Sequence, residues 1–105
     1  MKTEFDNKNK YLIVYLSGEI DHHSAIDIRM EIDEKISKLK PKKLILDYSD
    51  ITFMDSSGIG LIMGRHRLMQ TIAGQTEVRN VPPKMYKVVK LSGIEKIGKV
   101  SVKQR

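Results

Sequence analysis

A chain of 105 residues, 40% of them apolar and none cysteine, is sized for one domain with one modest core, and it has no disulfide and no thiolate metal site. No run of roughly 18 apolar residues is present to span a membrane, and the polar, acid-bearing start MKTEFDNKNK does not read as a signal peptide, so a cytoplasmic location is expected. Nineteen basic against thirteen acidic residues give a formal charge of +6, which admits nucleic acid, an anionic surface or an acidic protein as partner and selects none of them.

A weak strand signal at Thr3–Phe5 and a turn at Asn7–Asn9 precede the first strong element. Tyr11–Leu16, YLIVYL, is β-branched and aromatic and is predicted to be a strand that ends in a turn at Ser17-Gly18. From His22 the period changes. Ala25, Ile28, Ile32, Ile36 and Leu39 fall at helical spacing, Asp21 is the expected N-cap, the late Lys35, Lys38 and Lys40 suit the helix dipole, and Pro41 closes the helix. Leu44–Leu46 reads as a short buried strand. Ser56–Ala73 is predicted to be a second helix ended by Gly74, and Glu77–Val81 a strand. Pro82-Pro83 opens a third helix, Met85–Leu91, stopped by Ser92-Gly93, and Ile97–Val102 is a last short strand. The order β-β-α-β-α-β-α-β predicts the α/β class, with a mixed, largely parallel sheet of four to five strands and helices packed against it.

The stretch FMDSSGIG, residues 53–60, raises the functional question. Asp55, Ser56 and Ser57 are N-cap residue types, and capping the second helix is a sufficient structural reason for them. The same place is also a strand-to-helix junction, where open α/β sheets form ligand crevices. A helix N-terminus tolerates phosphate well. Gly58 and Gly60 keep side chains away from the serines, so a partner's backbone or an ATP-bearing active site has room to approach. A nucleophilic enzyme is the rival reading, and it needs a base beside the serine. His66 lies ten residues along the same helix, roughly 15 Å away; His22 and His23 can fold nearby, but no G-x-S-x-G elbow is present, so an enzyme is not expected.

Asp21, His22, His23 and His66 leave a metal site formally open, but adjacent histidines in a strand-to-helix turn read more simply as polar loop residues, and no metal or cofactor is expected. The second helix is apolar on two sides. Ile59, Ile62, Met63, His66, Met69 and Ala73 share one face; Leu61, Leu68 and Ile72, with Arg65, line another. One face must meet the sheet. The other either packs on a neighbouring helix or is an exposed strip for a protein contact. From Lys84 onward there are seven Lys or Arg and one acid, with Lys84, Lys87 and Lys90 on one side of a helix. With no interleaved aromatics and no zinc-finger or RRM signature, this reads as a solvated face rather than a nucleic-acid site.

GEIDHHSA (18–25) and ITFMDSSGIGLIMGRHRLM (51–69) resemble the anti-sigma factor antagonists of spore-forming bacteria, the stage II sporulation protein AA group, within the wider STAS domain family. The resemblance runs over nearly the whole chain, down to the PP-opened helix and the LSGI turn at 91–94, and identifies residues 1–105 as a single STAS domain. It implies a phosphorylation-controlled binding module in transcription regulation. The unmodified antagonist binds an anti-sigma factor that is also an ATP-using serine kinase, and thereby frees a sporulation sigma factor. That kinase phosphorylates the first serine of the DSSG motif, here Ser56, which switches binding off, and a serine phosphatase resets it. The resemblance admits a second reading, a STAS module for another partner, such as a general stress antagonist, a stressosome-type component or a transporter's cytoplasmic domain. Asp21, Asp55, Ser56, Ser57, Gly58, Leu61 and Arg65 are the expected docking residues, with no direct nucleic-acid or membrane partner. The sequence pI near 9.6 is higher than the resemblance leads one to expect.

Overall fold

The computed structural model describes residues 1–94 and 98–104. The chain runs β1 (Lys2–Asp6), β2 (Tyr11–Ile20), α1 (His22–Leu39), β3 (Lys43–Met54), α2 (Ser56–Thr71), β4 (Gln75–Val81), α3 (Pro83–Leu91) and β5 (Lys99–Val102). The strands form one sheet in sequence order. β1 and β2 make an antiparallel hairpin. Its turn is held by Asp6, whose Oδ1 accepts the N–H groups of Lys8 and Asn9, and by Lys10 at φ 62. The other three pairings are parallel, and each is reached through a helix, as parallel neighbours require.

Strand alternation decides which face is covered. Leu12, Val14 and Leu16 of β2, Leu44, Leu46 and Tyr48 of β3 and Val78 of β4 turn one way. They join Ile32 and Ile36 of α1, Ile62 and Met69 of α2, and Met85 and Val89 of α3 in a single core. The opposite face carries Tyr11, Ile13, Tyr15, Lys43, Ile45, Asp47, Glu77 and Arg79. It is laced by its own ion pairs, Lys43–Glu77 at 2.7 Å and Arg79–Asp47 at 2.9 Å. Burial pushes the Asp47 carboxyl up, but the hydrogen bonds from Ser49, Arg79 and Asn80 outweigh it and hold the group below the usual carboxylate range.

The element order and types match the sequence reading, and the boundaries correct it in places. Ser17-Gly18 is not a turn. The strand continues through it to Ile20, with irregular register at Ser17 and Gly18 and Gly18 at φ 78, a backbone state that glycine adopts without penalty. β3 spans twelve residues where the apolar run suggested three, because its last eight, the more polar DYSDITFM, stay beside β2 as far as Ile20↔Met54. α2 ends at Thr71, with Ala73 rather than Gly74 in the left-handed state at φ 55. The last strand begins at Lys99; its expected start, Ile97, lies outside the described residues.

Candidate functional site

The parallel ends of β2 and β3 bring two helix starts together. Asp55 N–H donates to the Ile20 carbonyl at 3.1 Å, so Asp21 and Asp55, the residues that follow the two strands, lie side by side. Each is the N-cap of its helix. Asp21 Oδ1 accepts the N–H groups of His23 and Ser24 at 2.9 Å, and Ser24 Oγ accepts the Asp21 N–H at 3.0 Å, which completes a capping box. The Ser24 N–H above all holds the Asp21 carboxyl below its usual range, with that of His23 in support. Asp55 Oδ1 accepts the Ser57 N–H at 2.8 Å.

That division of labour leaves Ser56 without a structural task. It is the first residue of α2, it is exposed, and among the described residues its hydroxyl makes no hydrogen bond. Ser57 is half-buried and faces α1 across a shallow groove. Below them Tyr48, fully buried, donates its hydroxyl to the Gly58 carbonyl at 3.3 Å. Burial pushes the Tyr48 phenol up, so it stays a neutral donor.

Three of the expected docking residues, Gly58, Leu61 and Arg65, are buried. A Cβ at Gly58 would lie 2.7 Å from Met54 Sδ, so its small size serves packing on β3. Gly60 is the open position, with nothing within 4 Å of where a Cβ would stand. Leu61 and Arg65 are 4% and 6% exposed, so they are not an exposed strip. They sit where α2 packs on α1 and form the floor of the groove whose walls include Ala25, Ile26 and Ser57. Arg65 Nε lies 2.7 Å from Asp33 Oδ1 of α1, an ionic contact with poor hydrogen-bond alignment, and Nη1 has no partner among the described residues. Burial lowers the Arg65 pKa, and the Asp33 charge opposes that shift. The physical reason is apolar supply: α1 needs a second surface beside the sheet, and the Leu61 side of α2 provides it.

His22 and His23 stack at 4.1 Å, exposed at the start of α1. His66 lies at the other end of the sheet, near Lys43 and Gln75, and offers no base to Ser56. Among the described residues no group of three His, Cys, Asp or Glu side chains is placed to hold a metal ion, and no helix is long and apolar enough to cross a membrane. Sequence reasoning missed Asp33 as the partner of Arg65. Gly64, part of the G-x-G-x-x-x-G-R pattern at residues 58–65, stands one turn beyond Gly60 on the same groove.

Residues 2–103 match the family model described as the STAS domain. An anti-sigma F factor antagonist of Paenibacillus polymyxa is 37% identical over 97 residues, 92% of this chain and 83% of that protein. Among solved structures, the anti-sigma factor antagonist SpoIIAA in its unphosphorylated form is similar with a TM-score of 0.80 at 32% identity, over 94% of this chain and 85% of that one. The Bacillus cell fate determinant SpoIIAA in the phosphorylated form gives 0.73 at 33% identity, over 94% and 88%.

Proposed function

This chain belongs to the STAS domain family, and on that premise we propose that it is an anti-sigma factor antagonist controlled by phosphorylation of Ser56. The unphosphorylated form binds an anti-sigma factor and so releases a sporulation sigma factor; the phosphorylated form lets go. The observation that carries the reading is the position of Ser56. It is exposed at the first turn of α2, and Asp55 relieves it of capping.

The chemistry follows from that position. Phosphate adds about −1.5 to −2 charges at pH 7. The α2 amides and dipole stabilise those charges in the free protein. Against a docked partner the same group must be desolvated next to Asp55 and Asp21 and must find room, so affinity falls without refolding. Asp21, Asp55, Ser56 and Ser57 form the rim that meets the partner; Gly58, Leu61 and Arg65 hold that rim in place from beneath. The anti-sigma factor is itself the kinase and supplies ATP, a serine phosphatase reverses the step, and the exchange takes place in the cytoplasm. The chain is then a substrate of these enzymes and carries no catalytic group of its own.

The test is a pull-down of this protein with a candidate anti-sigma kinase in ADP and in ATP, followed by mass spectrometry of the released protein. Retention in ADP, release in ATP and phosphate on Ser56 are expected. Phosphate mainly on Ser57, or equal retention in both nucleotides, overturns the reading.

A further inference from the structure

Beyond Asp47, β3 runs on without β4. Their pairing covers only Lys43↔Gln75 to Asp47↔Arg79, whereas β2 accompanies β3 to Met54. A strand offers backbone groups to both flanks, so among the described residues the stretch from Ser49 to Phe53 has one edge with no strand beside it. The reason β4 turns away is local. Asn80 adopts φ 57 and donates its side-chain amide to Asp47 Oδ2 at 3.0 Å. Val81 is followed by Pro82-Pro83, which have no N–H with which to continue a ladder.

The result is a groove of about 680 Å³ between Ile51 and Thr52 on one wall and Pro82, Pro83, Lys84 and Lys103 on the other. Thr52 and Lys84 also border an apolar hollow of about 270 Å³ formed with Phe53, Met85 and Val88. Phe53 and Val88 are 50% and 57% exposed, large for apolar side chains beside a concave surface. The charge here is mostly positive. Lys84 and Lys103 line the groove with Asp50 as the one acid, and exposed Lys87 follows on α3. Lys103 Nζ donates to the Ser49 carbonyl at 3.0 Å, so one end of the edge is already guarded, as exposed strand edges commonly are.

We propose that this groove takes an extended acidic segment of a partner protein, added to the free edge of β3 as a strand, with apolar side chains on Phe53 and Val88 and carboxylates at Lys84 and Lys103. Main-chain pairing supplies affinity and the alternate side chains supply selectivity. The free backbone edge favours an extended peptide, and the two lysines favour an acidic one. The groove lies on the flank of β3 away from Asp21, so the proposal does not rest on the phosphorylation reading.

The probe is a synthetic peptide alternating Glu and Val, titrated into isotope-labelled protein and followed by amide chemical shifts, beside a Lys/Val peptide of the same length. The Glu/Val peptide should shift the amides of Ile51–Met54 and Lys84–Val88, and the Lys/Val peptide should not. K84E/K103E should bind the Glu/Val peptide roughly tenfold more weakly, since both cations that would face its carboxylates become acids. An unchanged melting temperature confirms that the double variant is folded; if it is not, V88D, at an exposed site, is used and should also weaken binding. No shift at millimolar peptide, equal shifts with both peptides, or unweakened binding by the folded variant overturns the proposal. So do concentration-dependent shifts of the same amides without peptide, which would make a second copy of the chain the occupant.

Discussion

Replacing Gly58 and Gly60 by alanine, two positions apart on α2, should move stability in opposite directions. Both changes raise helix propensity by ~0.8–1.0 kcal/mol. At Gly60 the new Cβ meets nothing within 4 Å, so the gain is realised in full. At Gly58 the Cβ would lie 2.7 Å from Met54 Sδ and 3.0 Å from Met54 Cβ. The thioether can swing aside. The Met54 Cβ cannot, because it is fixed to the end of β3 one residue before the Asp55 cap, and the Gly58 carbonyl is the acceptor for Tyr48. Overpacking a buried site costs about 1–3 kcal/mol, so G58A comes out between neutral and ~2 kcal/mol destabilised. One kcal/mol moves the melting temperature of a domain of this size by about 4–8 °C. G60A should therefore melt above wild type, and at least about 4 °C above G58A, in calorimetric scans at matched concentration. If G58A melts at or above G60A, the packing of Gly58 on Met54 is not what makes glycine necessary there.

Ser56→Asp should weaken anti-sigma factor binding while Ser56→Ala retains it, measured by titration calorimetry; equal affinities would end the charge-gating account. Ser56→Ala should leave stability nearly unchanged, whereas Asp55→Ala should cost ~1 kcal/mol in urea melts, because Asp55 is the cap. Leu61→Ala should cost roughly 2–5 kcal/mol as a buried truncation. Arg65→Ala should lose about 1–3 kcal/mol, less than a fully buried pair because the Asp33 side chain is 36% exposed; an Arg65→Ala protein as stable as wild type would remove the α1–α2 ion pair as a stabilising contact. The Asp47 carboxyl is held below its unfolded value, so its stabilisation is complete above about pH 4 and fades as pH falls through the folded pKa. Wild type should thus lose more stability than Asp47→Asn between pH 5 and about 2.5, and parallel acid limbs for the two proteins would refute that role.

The fold was legible wherever periodicity was strong. YLIVYL alternates, α1 repeats Ile28, Ile32 and Ile36 at helical spacing, and Pro82-Pro83 marks the start of α3. The polar half of β3 was not legible, because its pairing comes from β2 beside it and leaves little apolar pattern of its own. The serine junction was legible as chemistry: an acid, two serines and two glycines at a strand-to-helix boundary. Which serine caps, which glycine is buried and which flank of α2 meets α1 depend on tertiary packing. Arg65 shows the limit most plainly. On the helix alone it reads as an exposed charge, and only the position of Asp33, thirty-two residues earlier in the chain, draws it into the interior.

The assignment of the cap to Asp55 has a consequence for turnover. If Ser56 carried the capping bond, adding a phosphate there would alter the free energy of unfolding, and the two forms would present different open populations to proteases. With the cap on its neighbour, the phosphorylation proposed at Ser56 costs no capping bond, and what remains is the favourable interaction of the added charge with the α2 dipole. On that proposal the modified form opens no more readily than the unmodified one, and proteolysis does not selectively deplete it.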